Sequence, residues 1–200
     1  MNLAIIKYNA GNIQSVLNAL AMLGTEAKVT DSPDELYAAD KVIFPGVGAA
    51  ASAMESLRAS QLDRVIKELK QPVLGICVGM QLLFDHSEEG DTNCLGIIPY
   101  KVKKFKPVLN EDHSRLKVPQ IGWNEIVDLK SDLFSGIKEH SYVYYVHSFY
   151  AEMNPYCIAT TEYGINYTGA VKKDNFYGVQ FHTEKSAETG MRILQNFLSL

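Results

Sequence analysis

Long hydrophobic runs are missing from this chain of 200 residues. No apolar stretch reaches the roughly 20 residues that span a bilayer. The opening Met1-Asn2-Leu3-Ala4-Ile5-Ile6 has neither the basic start nor the apolar length of a signal peptide. Cysteine is scarce. Cys77, Cys94 and Cys157 are odd in number and far apart, which excludes a disulfide framework and any zinc-binding spacing. Basic charge is not in excess: 19 Lys and Arg stand against 23 Asp and Glu, a formal net charge of −4. A duplex-binding surface would need the opposite balance, so nucleic acid is not an expected partner. Repeats, low-complexity tracts and long linkers are absent too. What is there is globular, with 46% hydrophobic and 21% charged residues, enough to enclose a full core. The expectation is one soluble, reduced, cytoplasmic domain over residues 1–200, with no metal, no cofactor and no membrane contact.

The first half alternates short apolar runs with helical patterns. Leu3–Lys7, Ala27–Thr30, Lys41–Phe44 and Val73–Ile76 read as strands, the last buried on both sides. Ile13–Leu23 and Gln61–Leu69 carry apolar residues at helical spacing. Ser32-Pro33-Asp34-Glu35 has the form of a capping box, with Ser at the cap, Pro at the first helical position and Glu two later. In the second half Asp85–Asn93 and Lys106–Lys117 are polar and read as loops. Tyr142–Val146, Tyr156–Thr160, Ala170–Lys172 and Tyr177–Phe181 read as strands, and Glu188–Leu198 as a closing helix. The fold class is therefore α/β: an open, mostly parallel sheet flanked by helices and extended by antiparallel strands. Ligand sites in such sheets lie beyond the carboxyl ends of the strands. Cys77 and the Pro45-Gly46-Val47-Gly48 turn both fall at that edge.

Gly75-Ile76-Cys77-Val78-Gly79 has the form of a nucleophile elbow, a strand-to-helix turn so tight that its flanks accept little but glycine. The helix that follows directs backbone N–H groups at the sulfur and favours thiolate, and the Val78 N–H is placed to meet an oxyanion. A free cysteine also simply packs in many cores, so a base is required. His86 and His113 lie in polar loops, and His140 stands before a strand with no clear partner. His147 and His182 each end a strand. Of these two strand-end histidines, His182 differs in having a carboxylate two residues on, Glu184. In an extended strand that spacing sets both side chains on one face, where the carboxylate can orient the imidazole and stabilise its charge. Cys, His and Glu together form an acyl-transfer set.

The ordered set of Pro45–Gly48, Gly75–Gln81 and His182–Glu184 resembles the class I (triad) glutamine amidotransferases, and the resemblance covers nearly the whole chain. It implies that family's fold, with a flavodoxin-like core. Asn9-Ala10-Gly11-Asn12-Ile13, Pro119-Gln120-Ile121-Gly122-Trp123-Asn124 and Phe181-His182-Thr183-Glu184-Lys185-Ser186 further resemble the glutaminase subunits of imidazole glycerol phosphate synthases. The chain departs from that pattern at Val78, Gln120, Ile121 and Thr183. The resemblance implies that Cys77 attacks the side-chain amide of glutamine, with His182 and Glu184 completing a triad. It implies that Val47, Gly48 and Val78 surround the oxyanion, and that Gly46, Gln81, His147, Ser148 and Phe149 hold the amino-acid end of glutamine. Ammonia would pass to a separate (β/α)8-barrel cyclase subunit, with Asn12, Trp123, Asn124 and Lys185 at the interface. That subunit would make imidazole glycerol phosphate and aminoimidazole carboxamide ribotide.

Each of these residues also has a plain structural reading. Trp123 could be core, Lys185 solvated, Asn12 a helix cap, and the glycines of Pro45–Gly48 parts of an ordinary turn. Two other functions stay open at this point: a glutaminase serving a different synthase, for example in a surface-polysaccharide pathway, and a docking module with a vestigial elbow. Free ammonia is protonated in water and ammonium is not a nucleophile, so a glutaminase acting alone would waste glutamine. The Val47-Gly48 turn is therefore expected to be misdirected until the partner docks.

Overall fold

The computed structural model describes residues 1–9, 12–106 and 116–200. Ala10 and Gly11 of the first loop, and most of the Lys106–Lys117 stretch with His113, lie outside the described residues.

Four runs with no polar interruption build the centre of the sheet: β1 (Leu3–Ile6), β3 (Lys41–Gly46), β4 (Val73–Cys77) and a late strand at Phe176–Val179, every residue of which is buried. Strands buried on both faces are typical of parallel strands covered by helices. The elements between them are α1 (Ile13–Met22), β2 (Ala27–Thr30), α2 (Pro33–Ala38), α3 (Ala50–Ala59) and α4 (Leu62–Glu68). Each longer helix buries residues three or four apart: Val16, Ala19 and Leu20 in α1, Ala50, Ala53, Met54 and Leu57 in α3, and Leu62, Val65 and Ile66 in α4. A fully buried leucine among them contributes about 1.5–3 kcal/mol.

After β4 come α5 (Val78–Gln81), β5 (Phe84–Ser87), β6 (Thr92–Asn93), β7 (Ile98–Lys104), β8 (Gln120–Ile126), β9 (Ser141–His147), β10 (Phe149–Ala151), β11 (Cys157–Glu162), β12 (Asn166–Lys173), β13 (Phe176–Val179) and α6 (Ala187–Ser199). The main sheet runs β2-β1-β3-β4-β13-β12-β10-β7-β5-β6, with β11 on β12. It is parallel from β2 to β13, and β12, β11 and β10 then extend it antiparallel. The expected fold class is thus observed. β8 and β9 form a separate antiparallel ribbon.

Several local expectations are corrected. Ser32 precedes α2, but its side chain makes no capping bond, and Glu35 instead meets Lys28 at 2.8 Å. The polar Asp85–Asn93 stretch contains the β5–β6 pair. His86, expected in solvent, lies 2.9 Å from Asp91 with its side chain mostly covered. His140 does have a partner, Glu125 at 2.7 Å.

Candidate active site

Cys77 ends β4 with φ 55° and ψ −111°, a conformation an L-residue adopts only when its surroundings impose it. The imposing contact is at Gly79. Any Cβ there would drive into the Phe44 carbonyl of the neighbouring strand β3, so the turn closes only around glycine. The helix behind the elbow is a single turn, Val78–Gln81. The dipole of a full helix is therefore replaced by its first N–H groups alone.

His182 and Glu184 meet, though not along an extended strand. β13 stops at Val179, and Thr183–Lys185 forms a 3-10 turn that curls Glu184 back under the imidazole. His182 Nδ1 donates to Glu184 Oε1 at 2.8 Å, with 5% and 2% of the side chains exposed. Burial works against charge on the ring. Hydrogen bonding and charge from Cys77 and Glu184 outweigh it and raise the His182 pKa from 6.5 to about 10. Cys77 and His182, far apart in sequence, line the same cleft, close enough for the sulfur to favour charge on the imidazole, and Glu184 is bonded to that ring.

Cys77 and His182, with Glu184 buried behind the imidazole, line a cleft of about 360 Å³ with Asn12, Val47, Gly48, Val78, Gln81, Glu89, Val146, His147, Ser148, Phe149 and Lys185. Gly46 lies buried beneath it rather than on its wall. Gly48, at φ +90°, needs glycine's freedom. Tyr8 braces the same turn from below. Its hydroxyl donates to Pro45 O at 2.8 Å, and burial pushes its pKa far up, so it stays neutral.

His147 is neutral as well, its pKa lowered to about 4 by burial and by the charge on His182. Its Nδ1–H donates to Phe149 O at 2.7 Å, which leaves Nε2 to accept. The Gln120 side-chain oxygen stands 3.0 Å from that Nε2 and accepts from the Tyr167 hydroxyl at 3.0 Å. His147 thus clasps the Ser148–Phe149 backbone, and Gln120 stands beside the ring's other nitrogen.

Outside the cleft, Trp123 is 52% exposed, which overturns its reading as core. Asn124 turns to the Glu162 carbonyl at 2.8 Å, and both residues line a second groove. Asn12 does cap α1, accepting from Ser15 N at 3.4 Å, and still borders the cleft. Glu89 was not anticipated. It lines the cleft while accepting from Ala50 N at 2.8 Å at the start of α3. Its only sequence signal is an acidic pair in a polar stretch. Among the described residues, no three His, Cys, Asp or Glu side chains are grouped to hold a metal, and no helix is long and apolar enough to cross a membrane.

The family model for Glutamine amidotransferase class-I matches residues 4–200.

The chain belongs to the class-I glutamine amidotransferases.

Within this family it is 54% identical to the "Imidazole glycerol phosphate synthase subunit HisH" of Bacteroides fragilis (strain YCH46) over the whole of both chains. It is 44% identical, again over the whole of both, to the protein of the same name from Escherichia coli (strain K12). Among solved structures, PurLQS from Thermotoga maritima shares the fold, with a TM-score of 0.69 and 16% identity over 99% of this chain and 97% of that one.

Proposed function

We propose that this chain is the glutamine amidotransferase subunit of an imidazole glycerol phosphate synthase in histidine biosynthesis, and that its single domain hydrolyses glutamine for a separate cyclase. The observation carrying the catalytic reading is that Cys77 and His182 share one cleft, with Glu184 hydrogen-bonded to the imidazole from behind. The relatives' shared name, over full-length matches, carries the pathway.

The Cys77 thiolate attacks the side-chain carbonyl carbon of glutamine. Negative charge moves to the amide oxygen, which the Val78 N–H and the Val47-Gly48 turn receive. His182, charged at neutral pH, gives its proton to the leaving nitrogen, and ammonia departs as the γ-glutamyl thioester forms. The now neutral ring takes a proton from water, hydroxide adds to the thioester, and glutamate leaves as the thiolate returns. Gln81 and the Ser148–Phe149 backbone, with Gly46 beneath, hold the amino-acid end. Glu89, a carboxylate fixed on the cleft wall, matches the charge of the substrate's ammonium group.

The cyclase is a (β/α)8 barrel, and it docks on the face bearing Asn12, Trp123, Asn124 and Lys185. Ile121, Trp123 and Val146 are exposed on the β8–β9 ribbon and form its apolar centre. Docking redirects the Val47-Gly48 turn, and a missing oxyanion donor costs about a hundred- to a thousandfold in rate. The protein works in the cytoplasm.

Reconstitution with the cyclase tests this. Cys77→Ala should lose synthesis from glutamine and keep synthesis from ammonium salt; loss of both would assign Cys77 to the fold instead. A glutamine-mimicking chloroketone should leave one adduct, at Cys77. Cys94, whose pKa burial pushes up to about 12, stays a thiol and unlabelled. Full turnover by the isolated chain would refute the gating.

A further inference from the structure

Gln180 has no part in the chemistry above, yet it is completely buried directly behind the cleft. Its side chain reaches two functional residues. It lies 2.9 Å from the Gln81 amide and 3.9 Å from Cys77 Sγ, a long contact suited to a large sulfur atom.

The orientation of these amides is dictated from one end. The Phe149 carbonyl can only accept, so the Gln81 atom 2.9 Å from it is the NH2. The same NH2 lies 2.9 Å from the Gln180 amide, which must present its oxygen there. The remaining Gln180 group, its own NH2, is thereby aimed at the sulfur.

We infer that Gln180 is a hydrogen-bond donor to the attacking sulfur of Cys77 and ties that donor to Gln81 and the wall that grips the substrate. The inference rests on Cys77 being the nucleophile. The protonation states of the sulfur make the donor necessary. A thiol can donate to Val146 O, 3.9 Å away, but a thiolate facing that carbonyl gains nothing. The thiolate needs donors, and Gln180 is a neutral one that no pH change removes. The titratable groups around the sulfur are His182 in front, Tyr8 below, and neutral His147, Glu89 and Lys185 along the cleft. None of them replaces an N–H on the buried side. Because one amide serves both residues, a shift of Gln81 on substrate binding is felt at the sulfur.

The test is the pH dependence of Cys77 alkylation by iodoacetamide in the full chain, with Cys77→Ala as the labelling control. Gln180→Met fills the space without polar atoms. Gln180→Glu keeps an oxygen for Gln81 but turns an oxygen, not an N–H, to the sulfur. The apparent midpoint of alkylation should rise by about one pH unit in the Met variant and further in the Glu variant. Glutaminase activity in the cyclase complex should fall about tenfold at neutral pH, while synthesis from ammonium salt persists and reports an intact complex. A merely structural role would lower the unfolding temperature and leave the midpoint in place. Should the Met variant fail to fold, the Glu variant decides. A folded variant with the parent's midpoint overturns the inference. A parent chain whose Cys77 shows no pH-dependent labelling overturns the nucleophile reading itself.

Discussion

Replacing Glu184 by Gln keeps the shape of the carboxylate and removes its charge. The His182 pKa stands near 10 against an ordinary 6.5, a rise corresponding to roughly 5 kcal/mol in favour of the charged ring. Cys77 and Glu184 share that effect. A charge-assisted hydrogen bond between groups that are almost wholly covered supplies about 2 kcal/mol of it. The pKa is raised on folding, so the charged ring's contribution is complete below pH 6.5 and disappears as the pH climbs to about 10. Urea unfolding should therefore show Glu184→Gln about 2 kcal/mol less stable than the parent from pH 6 to 7, with the gap closing as the pH approaches 10. Glutamine hydrolysis in the cyclase complex should fall about thirtyfold, the kinetic equivalent of 2 kcal/mol. A variant equally stable at neutral pH and turning over glutamine at the parental rate would refute the argument that Glu184 supports the imidazolium.

Two further substitutions separate the elbow from the docking face. Gly79→Ala places a methyl group against the Phe44 carbonyl, so β3 and the elbow must part. Its unfolding temperature should drop by several degrees and its glutaminase rate by at least about a hundredfold, since about 1 Å of misplacement costs that much. Trp123→Ala should leave the isolated chain's unfolding temperature within about 1 °C, because the ring is half exposed. Titration calorimetry should show about 2 kcal/mol or more lost from cyclase affinity, as expected for an aromatic anchor.

The elbow was legible because its signal is local: two glycines flank one residue, and sterics alone demand them. His182 and Glu184 were legible for the wrong reason. Their spacing drew attention, but a 3-10 turn rather than an extended strand joins them. α3 escaped notice because half of its buried face is alanine, which weakens its apolar periodicity. β8 escaped because its pattern is inverted, with Gln120 inside and Ile121 and Trp123 outside. That inversion leaves Ile121 and Trp123 exposed for the proposed docking face. Glu89 and Gln180 are placed by partners distant in sequence, a helix start and an amide chain. Gln180 does carry one clue in hindsight, as an uncharged polar residue within the apolar run Gly178-Val179-Gln180-Phe181.

β9 connects the proposed docking face to the candidate active site. Its outer edge presents Val146 beside Ile121 of β8. Along its backbone, Tyr144 O accepts from His182 N at 2.9 Å, and Tyr144 N donates to Ser186 Oγ at 2.9 Å. Ser186 Oγ in turn donates to His182 O at 2.6 Å, closing a ring around the imidazole's own peptide. Val146 O faces the Cys77 sulfur, and His147 ends the strand against the Ser148–Phe149 clasp. A partner docking as proposed on Val146 of β9 and on Ile121 and Trp123 of its paired strand β8 would therefore bear on a strand that touches the Cys77 sulfur, the His182 backbone and the Ser148–Phe149 segment. Packed strands of this kind do not deform gradually, so docking has few ways to move β9 without moving all three. Docking on this ribbon, as proposed above, would give a physical reason for hydrolysis to await the subunit that consumes the ammonia.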